Sequence, residues 1–320
     1  MASPNTSYDD ITATTIQSRS RELADNVSKN TALLSKLKAK GNIRLVSGGD
    51  VILQELAYAE NGNYIRYSGL ETIPIGENEE FSAAQFNWKQ AACAVVMSGL
   101  DQLKNSGKER FIDLMEARLT NAERTMMNNI SIDIYSTGTA SDGKQIGGLQ
   151  LLISDTPGST VGGIDASAYS FWQNVVQSAG VTLSAGNIQT QMYALWPQLV
   201  RGGDSTDLIV ADNNTWVAYN TSLTSNQRFM DATTAELGFH NLLFQSAPVV
   251  LDGGKGGACP SNRMYFINTD YLTFVSHSDR NFTNLGGKRF STNQDAMVQL
   301  IGWAGNMTVS NRSLQGVIKP

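Results

Sequence analysis

The residues that could do chemistry are few. Two histidines occur in 320 residues, His240 and His277. His277, Ser278 and Asp279 hold the residue types of a hydrolytic triad, but neighbours in one short segment cannot converge as a triad must. No Gly-x-Ser-x-Gly elbow accompanies them. Ser106, Gly107 and Lys108 look like the end of a phosphate loop, yet the preceding glycine spacing is wrong and Glu109 stands where magnesium needs a hydroxyl. A helix start is the simpler reading. The glycines from Gly253 to Gly257 are followed by no helix and read as a surface loop. Cys93 and Cys259 fit neither a disulfide framework nor a zinc site. Glu71, Glu77, Glu79 and Glu80 could in principle hold a hard cation, but lack the alternating ligand spacing of a calcium loop. A solvated or partner-facing acidic tip fits them better. No catalytic, cofactor-binding or metal-binding residue is therefore assigned, and no cofactor is expected.

The net charge is −5, with 41% hydrophobic and 17% charged residues. A protein that grips nucleic acid clusters its Lys and Arg. The densest basic stretch here is Lys36, Lys38 and Lys40, so DNA contact is expected to be weak. No signal peptide is expected at the polar start, and no run approaches the roughly 18 apolar residues of a membrane span.

Certain elements must position these residues. Residues 1–20 are polar and without apolar periodicity, which predicts an arm that orders only on a partner. From about Thr15 to Lys40, Ile16, Leu23, Val27, Leu34 and Leu37 fall on one side of a helix that Gly41 ends. Residues 51–60 carry no decisive pattern. Tyr64–Ser68 and Phe86–Val96 have strand composition. The segment between them contains Gly, Pro and the four glutamates, so the whole reads as a long hairpin with an acidic end. Such a ribbon cannot bury enough of itself and must lie on something else.

The strongest local signal follows. Phe111, Leu114, Met115, Leu119, Ala122, Met126 and Ile130 recur at spacings of three and four, predicting an amphipathic helix from Lys108 to about Ile134. At about 1.5 Å per residue it would be roughly 40 Å long. Gly147–Ile153 reads as a strand and Thr156–Asp165 as a loop. A second helix is predicted from Ser184, its N-cap, to Leu195, stopped by Pro197. Leu208–Ala211, Ala247–Leu251 and Arg263–Ile267 read as buried strands. A short helical pattern covers Asn268–Val275, and Asn293–Trp303 fits either a helix or a strand. Residues 305–318 read as a closing strand pair or tail.

The order of these elements resembles the tailed-phage capsid fold typified by phage HK97. Short stretches share the likeness, among them Trp88–Gln90, Asn105–Glu109, Leu114–Arg118, Lys144–Gln150, Val161–Asp165, Phe171–Asn174, Asn268–Tyr271 and His277–Asn281. The resemblance implies an α+β, HK97-like capsid fold. It would have an N-terminal arm (1–59), an extended hairpin loop (60–95) and a peripheral domain (96–204) with a spine helix at 107–134. An inserted axial domain (205–285) and a return to the peripheral domain (286–320) would follow. It further implies a structural, non-enzymatic major capsid protein that assembles as pentamers and hexamers around packaged double-stranded DNA. Expected partners are copies of itself, a separate scaffolding protein, a portal protein and a decoration protein, with no membrane. The expected location is the virion capsid, with host cytoplasm during assembly. Some such capsids are crosslinked through a lysine near the loop tip, but residues 68–82 contain none.

The acidic tip is then expected to meet basic residues of an adjacent subunit, with Lys104, Arg110, Arg118 and Arg124 as candidates. An encapsulin-like nanocompartment or a gene-transfer-agent shell would share the fold. From a different class, a carbohydrate-active hydrolase with paired carboxylates would need the acidic residues at a pocket instead of a hairpin tip.

Overall fold

A computed structural model describes residues 31–100, 108–223, 241–252, 257–286, 289–290 and 295–320. The principal helices are α1 (Ala32–Ala39), α2 (Lys108–Asp133), α3 (Ile188–Leu195) and α4 (Asn213–Ser222). The strands begin with β1 (Ile43–Val46), β2 (Ile52–Ala57), β3 (Phe81–Phe86), β4 (Lys89–Ser98), β5 (Thr160–Val161), β6 (Ile164–Asp165), β7 (Val175–Ser178) and β8 (Leu208–Ala211). They continue with β9 (Asn241–Phe244), β10 (Ala247–Leu251), β11 (Met264–Ile267), β12 (Leu272–His277), β13 (Thr283–Asn284), β14 (Arg289–Phe290), β15 (Ala296–Val309) and β16 (Gly316–Lys319).

One sheet is organised by β15, whose β-branched and aromatic residues suit a long pleated strand. Along one edge it pairs antiparallel with β4, from Ala296↔Ser98 to Gly305↔Lys89. Its other edge takes β12, β13 and β14, and β1 adds parallel to β12. The helix α2 packs against β4 and buries Leu119, Ala122, Met126 and Ile130, the stripe expected from the sequence. The side chains of Phe111, Leu114 and Met115 lie outside the described residues. Ahead of this sheet, α1 buries Leu34 and Leu37. It ends in a Schellman turn: Asn42 N–H donates to the Leu37 carbonyl at 2.8 Å and Gly41 N–H to Lys38 at 3.0 Å. Gly41 takes the left-handed conformation this cap requires, φ +74°.

The second sheet runs β7-β16-β11-β8-β10-β9. Its central strands are apolar without alternation because both faces are covered. Val210, Val250 and Tyr265 face the core shared with the first sheet. Ile209, Val249 and Phe266 face a separate core closed by Ile188, Met192 and Leu195 of α3 and Tyr219 of α4. Two polar clusters tie segments that are distant in sequence. Arg312, fully buried, donates to the Leu152 carbonyl (2.8 Å), the Ser159 carbonyl (3.3 Å) and Asn174 Oδ1 (2.9 Å). Lys40, at the end of α1, bridges Asp207 (2.8 Å) and Asp270 (2.7 Å).

Several expectations are corrected. Tyr64–Ser68 forms no strand, and the first ribbon strand is β2. The Phe86–Val96 run divides at Asn87–Trp88 into β3 and β4, which join different sheets. Gly147–Ile153 holds a helical turn, Leu149–Leu152, because that spacing points Leu149, Leu152 and Ile153 together into the core. The helix α3 starts at Ile188, since Ser184 and Asn187 close a turn first: Ser184 N–H donates to Asn187 Oδ1 at 2.8 Å. Pro197 sits in a 3-10 turn, Trp196–Leu199, that prolongs the helix. Asn268–Val275 is a 3-10 turn followed by β12, whose Leu272–Ser276 are all buried and so cannot follow a one-faced helical pattern. Each of the two main sheets draws strands from both sides of residue 285. Leu272–His277 belongs to the first sheet and Gly316–Lys319 to the second. Ile16, Leu23 and Val27 lie outside the described residues.

A buried acid marks the joint between α2 and the second sheet. The Tyr135 hydroxyl donates to Asp252, just past β10. Burial raises the Asp252 pKa, and the Tyr135 hydrogen bond offsets this only in part. A carboxyl whose folded pKa exceeds its unfolded value binds its proton more tightly when folded. Stability therefore falls as pH rises from the ordinary carboxyl range through that raised value. Asp252→Asn keeps an acceptor for Tyr135 and removes the charge. It is expected to flatten this part of the pH–stability curve and to raise the neutral-pH melting temperature, as thermal melts across the acid range would show.

Candidate assembly surface

The ribbon of β2 and β3 pairs antiparallel from Ile52↔Phe86 to Ala57↔Phe81. Its base is anchored. Gln85 N–H donates to the Gly162 carbonyl at 2.8 Å, at the tight turn between β5 and β6. Tyr58 stacks on Phe171 with ring centroids 5.5 Å apart. Gly162 adopts φ +62°, and an added Cβ would lie 2.9 Å from the Ala84 Cβ. Gly162→Ala therefore combines a conformational cost with a clash. It is expected to destabilise the chain by about 2 kcal/mol. A denaturant midpoint unchanged from the parent would show that the ribbon does not depend on this contact.

Beyond Tyr58 and Glu80, whose backbones still bond at 3.0 Å, the ladder ends. Asn63 substitutes for it by accepting from Gly76 N–H (3.2 Å) and donating to the Gly76 carbonyl (2.6 Å). These bonds hold the two legs of the connection side by side. They leave Tyr64, Tyr67, Leu70, Ile75 and Phe81 exposed, Leu70 and Ile75 almost completely at 105% and 96%. So many exposed large apolar side chains on one segment suit a surface that a partner covers.

Glu71, Glu77 and Glu79 are exposed and Glu80 is half-buried, all on this segment. Glu71 accepts from Ser68 N–H at 3.0 Å, a local turn bond. Lys104 lies outside the described residues, and Arg110 is placed only as part of the α2 backbone. Arg118 is half-buried and donates to the Val96 carbonyl of β4. Arg124 is exposed on α2. No described ion pair joins the four glutamates to these cations within the chain. Among the described residues no group of His, Cys, Asp and Glu could hold a metal, and no helix is long and apolar enough to cross a membrane. His277 Nδ1 accepts from Asp279 N–H at 3.1 Å, and its ring packs edge-on against Trp88. Both contacts are structural.

No family model matches the chain, and no curated protein matches it. Solved structures do. A chain of the cyanophage A-1(L) capsid asymmetric unit aligns with a TM-score of 0.60 and 15% identity, covering 86% of this chain and 89% of that one. A chain from the capsid of an empty GTA particle gives 0.55 and 11%, covering 88% of each. A chain of Mycobacterium phage Bobi gives 0.52 and 11%, covering 88% and 89%. The likeness is one of fold: this is a mixed α/β chain with the fold of phage capsid proteins.

Proposed function

From that fold we propose that the chain is the structural major capsid protein of a tailed-phage-type particle. It assembles through pentamers and hexamers into an icosahedral shell around double-stranded DNA. The carrying observation is the exposed apolar segment beyond the β2–β3 ribbon, which no other described residue covers. In a shell the cover is a neighbouring copy. The net charge of −5 suits an inner face that tolerates DNA without gripping it. A gene-transfer-agent shell is the second reading, favoured by the GTA capsid likeness.

In this reading α2 is the spine helix and the sheet around β15 forms the peripheral domain. The sheet from β7 to β9 forms the axial domain, and residues 58–80 are the tip of the extended loop. A separate scaffolding protein, a portal protein and a decoration protein complete the particle, which builds in the host cytoplasm. The chain itself is not an enzyme.

The tip glutamates meet basic residues of the adjacent copy, with Lys104, Arg110, Arg118 and Arg124 as the candidates. Each rim pair contributes only about 0–1 kcal/mol, but the contact repeats in every subunit. The double variant Glu79→Lys and Glu80→Lys is expected to impair assembly while the monomer stays folded. Sedimentation velocity and circular dichroism separate the two effects. Normal shells from this variant would mean that the tip does not use these charges.

A further inference from the structure

The sequence contains a single Asn-Gly pair, Asn61–Gly62, and it lies just past the end of the β2–β3 ladder. Both residues are exposed. Gly62 does not take the left-handed conformation, so the turn does not require a glycine there. A Cβ added to it would meet Asn78 Oδ1 at 3.4 Å, an ordinary contact. What the glycine supplies is an unshielded main-chain nitrogen beside the Asn61 side chain. Among the described residues nothing accepts a hydrogen bond from Gly62 N–H. The Asn61 carboxamide is presented as an electrophile. Its Oδ1 accepts from Asn63 N–H at 2.8 Å and from Asn78 Nδ2 at 3.3 Å. Negative charge develops on that oxygen when Cγ is attacked, and donors already aimed at it stabilise that charge. Asn63 provides the contrast. Its carboxamide is bound at both ends to Gly76, and the bulky Tyr64 follows it.

We propose that Asn61 is a site of spontaneous deamidation, closed by the Gly62 nitrogen and assisted by the donors of Asn63 and Asn78. The Gly62 nitrogen gives up its proton to solvent and bonds to Asn61 Cγ, an intramolecular attack that forms a five-membered ring. The Cγ–Nδ2 bond breaks, and the nitrogen takes a proton from solvent and leaves as ammonia. Water then opens the cyclic imide. Attack at Cγ gives aspartate with the main chain restored. Attack at the Asn61 main-chain carbon gives isoaspartate, whose main chain runs through Cβ and Cγ. Nothing is oxidised or reduced. Either product adds a negative charge beside Glu60. Isoaspartate also lengthens the main chain ahead of Asn63 and so shifts the clamp between Asn63 and Gly76. The change falls at the root of the segment that exposes Tyr64, Tyr67, Leu70 and Ile75. The proposal stands independently of the shell reading.

Peptide mass spectrometry tests it. The full chain is held in neutral buffer, sampled over time and digested at acid pH, so that digestion itself causes no conversion. The peptide carrying Asn61 is expected to gain the mass of an amide turned to an acid and to split into two chromatographic forms, isoaspartate and aspartate. Asn63 and Asn78 of the same segment should stay intact. Gly62→Ala fits the turn and hinders ring closure, and is expected to keep Asn61 intact over the same period. Asn78→Ala removes one donor and is expected to slow the conversion about 2- to 10-fold, the worth of one hydrogen bond. An Asn61 that stays unchanged in the parent chain would overturn the site. Conversion in Asn78→Ala as fast as in the parent would overturn the part assigned to that donor.

Discussion

Replacing residues 59–79 with Asn-Gly is expected to abolish particle formation and leave a folded, more soluble monomer. Tyr58 and Glu80 already bond across the ribbon, and a two-residue Asn-Gly turn closes such a pair with the twist its strands need. The β2–β3 pairing and its anchor at Gly162 are untouched. What disappears is the exposed apolar surface of Tyr64, Tyr67, Leu70 and Ile75. At roughly 25 cal/mol per Å² of apolar area covered, that surface is a large part of what a neighbour could gain. Light scattering and circular dichroism on the shortened chain would check this. Normal shells would mean that the loop is dispensable. An unfolded chain would mean that it serves its own subunit.

Arg312 is expected to be the most sensitive single position for stability. Its guanidinium is buried among uncharged acceptors, and burial alone pushes its pKa down to about 10, so it stays charged at neutral pH. Removing it strands the Leu152 carbonyl and Asn174, at about 1–3 kcal/mol for each unsatisfied group. Truncation also opens a cavity where the buried side chain stood. Arg312→Ala is expected to cost about 4 kcal/mol, and Arg312→Met clearly less, because methionine refills the space and leaves no cation to desolvate. Urea melts of both variants decide. Equal and small losses would show that Arg312 does not tie residues 152–159 to the C-terminal strand.

Legibility in the sequence followed how local each signal was. The helix α2 was readable because its stripe lies within one segment. The strands β8, β10 and β11 were readable as short apolar runs. By contrast, β2 was missed because its partner β3 lies more than twenty residues away, and only the pairing gives its alternation meaning. Leu149–Leu152 and β12 were misread because a short apolar run buried on several sides has no period to read. The helix α4 carries few apolar residues. Its only strong signal was the Asp212 cap, which accepts from Thr215 N–H at 2.9 Å. The acidic, apolar tip was legible as composition. The charge of Arg118 is visible in the sequence, but its bond to β4 is not.

The most direct test is negative-stain electron microscopy of the full chain, expressed alone and with a candidate scaffolding protein. A shell-forming chain gives closed thin-walled particles, or rings of five and six copies. A compact monomer under every condition would contradict the capsid assignment.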